Sequence, residues 1–278
     1  MPSVVYPSVL RAVYEEASRA IAARNQVPTE LILGDPDIYR SFPIKYFKLT
    51  PDGVFPRDEA NKAALVIRDE DVDTNRFSGQ SLSTEVPASG GLYCTFGQPA
   101  LIAEVLHYSR VNKDGTINQT IARGSKTGFP RPGDALAEKC IVRIRLMSSI
   151  MALDLTTHNS GAQMFVGEIE RSRAVQGAIH LAHAPSKPLW DWIFDGWDYT
   201  IARGIGLAVA SSDYLSALRV GSARHADRSE NETGDNLIFF GRNGSQVPNL
   251  SIREAYLIPA HGKPVCYPVE FVPASRKP

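Results

Sequence analysis

The most informative stretch of the chain is residues 90–108, which read GGLYCTFGQPALIAEVLHY. Its first part alternates as a strand over Leu92–Phe96, bounded by glycines on both sides. Alternation places Tyr93 and Thr95 on one face of this strand and its three apolar residues on the other. Pro99 suits the first turn of a helix, because its missing N–H has no partner there in any case. The stretch therefore predicts a strand followed at once by a helix.

One charged residue stands out in the helix predicted over 100–108. Leu101, Val105 and Tyr108 form an apolar stripe at helical spacing, and Glu104 lies at the edge of that stripe. Charged side chains seldom lie near a core without a partner. This carboxylate is therefore either at the rim of a cleft or simply exposed to solvent, and the pattern alone leaves both open.

The rest of the chain mixes helical and strand patterns without regular alternation. Apolar spacing, with Ser8 as a cap, predicts a helix over 8–24, and the turn-rich segment 33–76 predicts short strands and loops rather than helix. Further elements are predicted as helices over 162–184 and 190–211, strands over 142–146, 150–155 and 236–240, and a closing hairpin over 253–259 and 264–271. The stretch 218–224 is predicted as the end of a strand followed by a small polar turn. The strand over 150–155 is predicted to neighbour the one over 142–146. This irregular order favours an α+β fold over a doubly wound parallel one.

Composition and charge exclude several classes of protein. Of the 278 residues, 43% are apolar and 22% charged, which argues against wholesale disorder. Thirty basic residues balance thirty acidic ones, so nothing indicates direct binding to nucleic acid. The three cysteines, Cys94, Cys140 and Cys266, are odd in number and widely spread. This argues against a disulfide framework or a zinc cluster and favours a reducing compartment.

The sequence carries no signal for a membrane or for export. No run approaches the roughly 20 apolar residues that span a bilayer. The first residues lack both the basic region and the apolar region of a signal peptide. We therefore expect a soluble, cytoplasmic protein without a membrane partner, while delivery into another cell stays open.

Three weaker signatures each have an ordinary alternative. Residues 124–128, Gly-Ser-Lys-Thr-Gly, have the residue types of a phosphate loop but not its spacing, so a surface loop is favoured. His180 and His183 could share a metal on a helix, but no third ligand is evident, so no metal is expected. Cys94, in a strand, is interpreted as a small buried apolar residue rather than a nucleophile.

Five short blocks carry a more specific signal through their order. They are Asn75-Arg76-Phe77, Gly91-Leu92-Tyr93, Ala103-Glu104-Val105, Gly221-Ser222-Ala223-Arg224 and Asn236–Phe240. This ordered set resembles the RES domain, a toxin family named for its Arg, Glu and Ser. The resemblance spans roughly residues 37–240 and is dense only in these blocks. The tyrosine-to-glutamate spacing, and the Ser-Ala-Arg turn before an apolar strand, are two independent matches.

The resemblance implies a fold and an activity. The fold is similar to that of diphtheria-toxin-type ADP-ribosyltransferases, with two small sheets around a cleft that binds NAD. The implied activity is destruction of cellular NAD, or in some members transfer of its ADP-ribose to a protein. Such a toxin arrests growth and is held in check by a protein antitoxin. Carried over residue by residue, the family's arginine falls on Arg76, its tyrosine on Tyr93, its glutamate on Glu104 and its serine on Ser222.

These residue types suit NAD cleavage. The guanidinium of Arg76 can bind the NAD phosphates, and the ring of Tyr93 can stack against nicotinamide. Cleavage develops oxocarbenium-like charge on the ribose, which the carboxylate of Glu104 can stabilise. Ser222 could hydrogen-bond the nicotinamide side of the ligand. Arg224 is a candidate for a further phosphate contact, or else forms a salt bridge to the acidic loop that follows it.

Several segments exceed the family pattern. Residues 1–36 are predicted as an N-terminal helical extension of a catalytic domain over 37–278. Segments 81–88, 111–132 and 227–235 are insertions, which could dock a protein acceptor or serve as scaffold. Two other interpretations stay open: a non-catalytic binding module on the same fold, and an unrelated α+β protein in which the blocks coincide by chance.

Overall fold

The structure is a computed structural model, which describes residues 5–24, 26–34, 36, 38–43, 46, 55–68, 76–79, 81–84, 86–97, 139–157, 159–193, 198–221, 235–258 and 265–270. Within these ranges the chain forms six helices and ten strands. In chain order they are α1 (Pro7–Ala23), β1 (Thr29–Ile32), β2 (Ile38–Pro43), β3 (Phe55–Pro56), α2 (Arg57–Ala64), β4 (Gly90–Phe96), β5 (Lys139–Leu146), β6 (Ile150–Leu155), α3 (Ser160–Arg171), α4 (Arg173–Leu181), α5 (Leu189–Ile193), α6 (Thr200–Ala210), β7 (Ala217–Gly221), β8 (Asp235–Gly241), β9 (Leu250–Ile258) and β10 (Val265–Glu270).

All ten strands belong to one sheet, which consists of two halves. The strand order is β1-β6-β7-β8-β4-β2-β5-β9-β10-β3. The first five strands are called the first half and the last five the second half. The halves meet where β4 pairs with β2, and this junction joins only Ile38 to Phe96 and Tyr39 to Thr95. Most neighbouring strands run antiparallel; β6–β7 and β10–β3 are parallel.

Two apolar cores flank the first half of the sheet. The inner core combines side chains of both halves, such as Leu237 from β8 and Ile144 from β5, with α2. The two halves therefore face each other across a shared apolar layer. The helical core lies on the other face of the first half, where α1 and α3 to α6 pack around residues such as Ile238 and Trp192. Leu237 and Ile238 enter different cores because successive strand residues point to opposite faces.

The helices differ from their predicted bounds where local hydrogen bonds interrupt the pattern. The first predicted helix is confirmed as α1, but Tyr6 rather than Ser8 precedes it and no side chain caps it. The helix predicted over 162–184 is wrong as one element, because Ser172 accepts a hydrogen bond from the Ala174 N–H and starts α4. The helix predicted over 190–211 is likewise divided into α5 and α6, and Asp198 accepts from the Thr200 N–H. Such side-chain bonds compete with a continuous helix.

A helix also occurs where only strands and loops were predicted. The segment 33–76 contains α2, so the prediction is wrong over Arg57–Ala64. These eight residues contain no proline, and Asp58 and Glu59 lie in the first turn, where carboxylates favour helix formation. The prolines nearby favoured a prediction of strands and loops, although residues 57–64 are mostly good helix formers. The alanines of this helix are buried.

The predicted strands are largely present, but one predicted pairing is wrong. β4, β8 and the β9–β10 hairpin confirm the strands predicted at 92–96, 236–240 and the closing hairpin. β6 does not neighbour β5: it lies between β1 and β7, whereas β5 lies between β2 and β9. The chain crosses from one half of the sheet to the other between β5 and β6. No local pattern in the sequence predicts this crossing.

The mixed α+β class is confirmed, with one continuous sheet in place of two separate ones. The boundary predicted at residue 36 stays a prediction. α1 packs in the helical core and β1 pairs with β6, so both belong to the same packed layers as the elements after them. Among the described residues, no helix has both the length and the apolar character needed to cross a membrane.

Candidate functional site

The ends of β4 and β7 lie beside the start of β8, at one end of the strands of the first half. Thr95, near the end of β4, pairs with Asn236 at the start of β8. Gly221, the last residue of β7, pairs with Asp235, the first residue of β8. The chain therefore leaves β4 and β7 and enters β8 at the same end of the sheet. Every block of the family resemblance that the structure describes adjoins one of these strands.

Arg76 and Tyr93, two predicted site residues, are brought together at β4. The Tyr93 hydroxyl accepts a hydrogen bond from the backbone N–H of Phe77 at 3.0 Å. Next to it, the buried Ser78 hydroxyl accepts from the Gly91 N–H at 2.8 Å. These two bonds fix the segment that carries Arg76 against the strand that carries Tyr93. As predicted, Tyr93 points away from the apolar residues of β4, toward the helical core.

Helix α6 closes over the same segment at a distance that only glycine allows. A Cβ at Gly206 would lie 1.9 Å from the carbonyl oxygen of Phe77. A Cβ at Gly79 would lie 2.4 Å from the side chain of Leu207 on the same helix. The two glycines therefore permit α6 to pack directly on the residues that follow Arg76.

Two cationic side chains surround the ring of Tyr199, which immediately precedes α6. The guanidinium carbon of Arg76 lies 5.6 Å from the ring centroid, and that of Arg203 lies 5.7 Å from it. Both distances allow cation–π attraction. Arg203 is only 6% exposed, and the buried carboxylate of Asp198 accepts a hydrogen bond from the Thr200 N–H at the start of α6. The two guanidinium groups next to the Tyr199 ring suit an anionic ligand.

The sequence interpretation missed Tyr199 and Arg203. Their spacing of four residues, one turn of a helix, was a usable signal, because such residues share a face. The charge of Arg203 in an otherwise apolar run, Ile201 to Ala210, was a second signal.

A further buried arginine lies where the two halves separate. β2 pairs with β4 through Tyr39, and the pairing stops before Arg40. Arg40 is 8% exposed, and its Nη1 donates to the carbonyl oxygen of Tyr93 at 3.2 Å. The side-chain bond thus continues contact between the halves beyond the last strand pair. Arg40 was not predicted, although one charge between the buried Ile38 and Phe42 could have indicated it.

An ion-pair network lies at the same end of these strands, on the face of the sheet that points toward the inner core. Arg219 on β7 donates from Nε and Nη2 to Oδ2 of Asp235, at 3.0 and 2.6 Å. Its Nη1 donates to Glu30 on β1, and its guanidinium carbon lies 5.1 Å from the ring centroid of Phe96. Burial lowers the pKa of Arg219, but the hydrogen bonds to Glu30 and Asp235 outweigh it, so the pKa is raised.

Three predicted site residues, Glu104, Ser222 and Arg224, lie outside the described residues, as do segment 111–132 and the loop at 124–128. In the sequence, Ser222 directly follows Gly221, the last residue of β7. Asp235, the described member of the acidic loop that follows Arg224, pairs with Arg219.

The weaker candidates acquire no support. Cys94 is fully buried in the inner core. Among the described residues, no group of three or more His, Cys, Asp or Glu side chains is placed to hold a metal ion.

Comparisons with known proteins return one structural likeness. No protein-family model matches the chain, and no curated protein matches it. The chain is similar to a chain of the crystal structure of the M. tuberculosis MbcT–MbcA toxin–antitoxin complex. The two share 14% identity at a TM-score of 0.44, over 88% of this chain and 93% of that chain. A likeness of this size carries no argument about function, which must rest on the residues themselves.

Proposed function

We propose that this chain is a toxin that cleaves the nicotinamide–ribose bond of NAD and thereby arrests growth. One observation carries the proposal. Arg76 and Tyr93 are distant in sequence and both part of the RES-like pattern, and the hydrogen bond from Phe77 to Tyr93 joins the segments that carry them. The Arg76 guanidinium carbon lies 5.6 Å from the centroid of the Tyr199 ring. The two sheet halves around a shared layer support an ADP-ribosyltransferase-like fold.

The positive charge around Tyr199 supports the binding part of the proposal. NAD carries two phosphates, and guanidinium groups bind phosphate oxygens through paired hydrogen bonds of fixed geometry. Arg76 would supply such a contact, with the buried charge of Arg203 close to the same ring. Tyr93 is partly buried, with its hydroxyl engaged, so its ring would have a fixed orientation for stacking against nicotinamide.

The reacting part of the proposal depends on Glu104 and Ser222. As nicotinamide leaves, positive charge develops on the ribose, and the carboxylate of Glu104 would stabilise that charge. Ser222 would orient the nicotinamide side of the ligand, and Arg224 would contact phosphate. Water, phosphate or a protein nucleophile then takes the ADP-ribose. A protein antitoxin would bind the toxin in the cytoplasm, where its substrate is available.

A second candidate function is ADP-ribosyl transfer to a protein. The loop over residues 81–88 favours it, because this loop follows the segment that carries Arg76 and exposes Ser81, Ser83, Thr84 and Pro87. Arg11 on α1 donates from Nη2 to the carbonyl oxygen of Leu82 at 3.0 Å, which ties the loop to α1. A protein acceptor docked there would lie next to the proposed site. A non-catalytic module that binds NAD without cleaving it is the third candidate.

The deciding experiment measures nicotinamide released from NAD by wild type, Glu104→Gln, Arg76→Ala and a control, Arg145→Ala. Arg145 is an exposed arginine on β5 and should leave release unchanged. We expect Glu104→Gln to lower kcat by about 100-fold or more, the range of one lost transition-state contact. Arg76→Ala should mainly raise KM. Equal release by wild type and Glu104→Gln would remove Glu104 from the mechanism.

Labelled NAD added to a cell lysate separates the candidate functions. A transferase leaves label on a protein band, whereas a glycohydrolase leaves it in free ADP-ribose. Binding of NAD without release or labelling would identify the non-catalytic module.

A further inference from the structure

A cavity of about 210 Å³, called the notch cavity, lies at the end of β7 and β8 that points away from the candidate site. Two paired strands of unequal extent border it. β7 begins at Ala217, opposite Phe239, whereas β8 continues to Gly241. The sheet therefore has a notch beside the last residues of β8, and Ala210 at the end of α6 lines the same space.

The floor of the notch cavity is formed by apolar side chains of both cores. Phe239 and Val247 belong to the inner core, whereas Val209 and Leu215 belong to the helical core. All four are at most 7% exposed. The sheet separates the two cores along most of β8, and they meet here because β7 does not extend between them. The floor is therefore a continuous apolar surface built from packed side chains.

The mouth of the notch cavity is polar, and backbone hydrogen bonds hold it in place. Ser216 and Asn249 line the cavity and are exposed to solvent. The Ser216 N–H donates to the carbonyl oxygen of Met151 at 2.8 Å, and the Met147 N–H donates to that of Asn249 at 2.8 Å. Asn249 has a φ of 61°, a left-handed conformation that asparagine adopts more readily than most residues. The mouth thus presents one hydroxyl and one amide group on a fixed backbone.

We propose that the notch cavity binds a small, neutral aromatic ligand that carries one hydrogen-bonding group. Its volume suits a single ring, since an apolar cavity of about 150 Å³ holds benzene. Phe239 and Phe240 both line the cavity, and aromatic rings attract one another edge to face or offset. The side chains of Ser216 and Asn249 bind the polar group at the mouth. An apolar floor with a few polar groups is the usual composition of a small-molecule site.

The absence of charge separates this site from the one proposed for NAD. None of the described residues that line the notch cavity is charged. The phosphates of a dinucleotide would therefore enter it without a cationic partner, which is unfavourable. A neutral ligand meets no such cost, so binding here does not depend on the proposed cleavage of NAD.

The test titrates the protein with phenol and with benzene and follows the NMR signals of the Val209 and Leu215 methyl groups. Ala210→Leu fills the cavity from the last residue of α6. Its matched control is Ala23→Leu, at the exposed last residue of α1. We expect wild type to bind phenol with a Kd of about 1 mM or lower. Ala210→Leu should raise that Kd at least about 10-fold, and Ala23→Leu should leave it within about twofold.

Variants at the mouth test the hydrogen-bonding group of the ligand. Ser216→Ala and Asn249→Gly each remove one polar side chain, and glycine retains the left-handed backbone at position 249. We expect the two changes together to raise the Kd of phenol about 3- to 10-fold and to leave that of benzene unchanged. Ser216→Phe, at an exposed position, blocks the mouth and replaces Ala210→Leu if that variant does not fold.

Each contrary outcome overturns the inference. Unchanged methyl signals with both probes up to about 10 mM would mean that the cavity does not bind a ring. Equal phenol binding by wild type and Ala210→Leu would place the probe elsewhere on the protein. Equal effects of the mouth variants on phenol and benzene would exclude the hydrogen-bonding group. Because nicotinamide release is not the readout, failure of the proposed function leaves this test unaffected.

Discussion

The two halves of the sheet are built from the same kind of strand but are buried differently. The first half is covered on both faces, by the inner core and by the helices, so successive residues such as Leu237 and Ile238 are both buried. In the second half, Ile144 is buried and its neighbour Arg145 is exposed. The candidate site lies on the first half, whose two faces are both covered.

That difference has a chemical meaning. Side chains that must hold a ligand in one geometry need neighbours that cannot move, and a strand packed on both faces provides them. Tyr93, Arg76 and Arg219 all depend on β7, β8 or β4, three consecutive strands of the first half. The second half supplies mainly one wall of the inner core, together with Arg40 at the junction.

The largest effects should come from truncations that compare the two halves directly. Leu237→Ala and Ile238→Ala should each lower the free energy of unfolding by about 2–5 kcal/mol, because each empties space in a separate core. Ile144→Ala should cost a similar amount, and Arg145→Ala less than about 0.5 kcal/mol. Urea unfolding measures all four variants. A small cost for Ile238→Ala would contradict burial of the first half on both faces.

The contact of α6 with the first half predicts the next largest effect. Gly206→Ala should lower the free energy of unfolding by about 3 kcal/mol, because the new methyl group collides with the Phe77 carbonyl. Gly177→Ala on α4, where a Cβ meets no other atom within 4 Å, should instead stabilise by about 0.5–1 kcal/mol. Thermal unfolding of the two variants tests the difference, and the same sign for both would contradict the packing.

The buried thiol of Cys140, on β5 in the second half, predicts a pH effect of intermediate size. Burial raises the pKa of the Cys140 thiol from 9.0 to about 12, so the folded protein keeps the proton that the unfolded chain loses. This contribution is complete below about pH 9 and is lost as the pH rises toward 12. Between pH 8 and 10.5, wild type should lose about 2 kcal/mol more stability than Cys140→Ala. Urea titrations at both pH values decide it, and parallel losses would contradict the shift.

The smallest effect concerns hydroxyl groups on the two halves. Tyr93→Phe removes the acceptor of the Phe77 N–H and should cost about 1 kcal/mol. Tyr256→Phe, which loses a bond to Glu254 on the same strand of the second half, should cost less than about 0.5 kcal/mol. If the Tyr93 ring alone serves the ligand, nicotinamide release should persist in Tyr93→Phe. Matching losses of stability would remove the distinction between the two tyrosines.

Much of the local structure could be predicted from the sequence. Strands such as β4 and β8 were predicted because their apolar residues alternate or form short bounded runs. The breaks at Ser172 and Asp198 were missed, because each depends on one side-chain hydrogen bond that leaves the apolar periodicity unchanged. The placement of β6 depends on contacts distant in sequence, which no window of residues contains.

The candidate site could likewise be predicted only in part from the sequence. Arg76 and Tyr93 belonged to one ordered pattern, and the structure joins them through Phe77. Arg219 was missed because its partners, Glu30 and Asp235, become its neighbours only after folding. Arg203 could have been found from its spacing of four residues from Tyr199. The predicted roles of Glu104, Ser222 and Arg224 stay predictions.

Because the chain alternates between the two halves, neither half corresponds to a continuous stretch of sequence. The first half is complete only when β8 (Asp235–Gly241) is present, and the second only when β10 (Val265–Glu270) is present. A ribosome must therefore synthesise nearly the whole chain before either half can assemble. Long-range pairings of this kind fold slowly and leave unpaired strands exposed meanwhile. Under the proposed function, an antitoxin that bound the chain during translation would meet it before any active form existed.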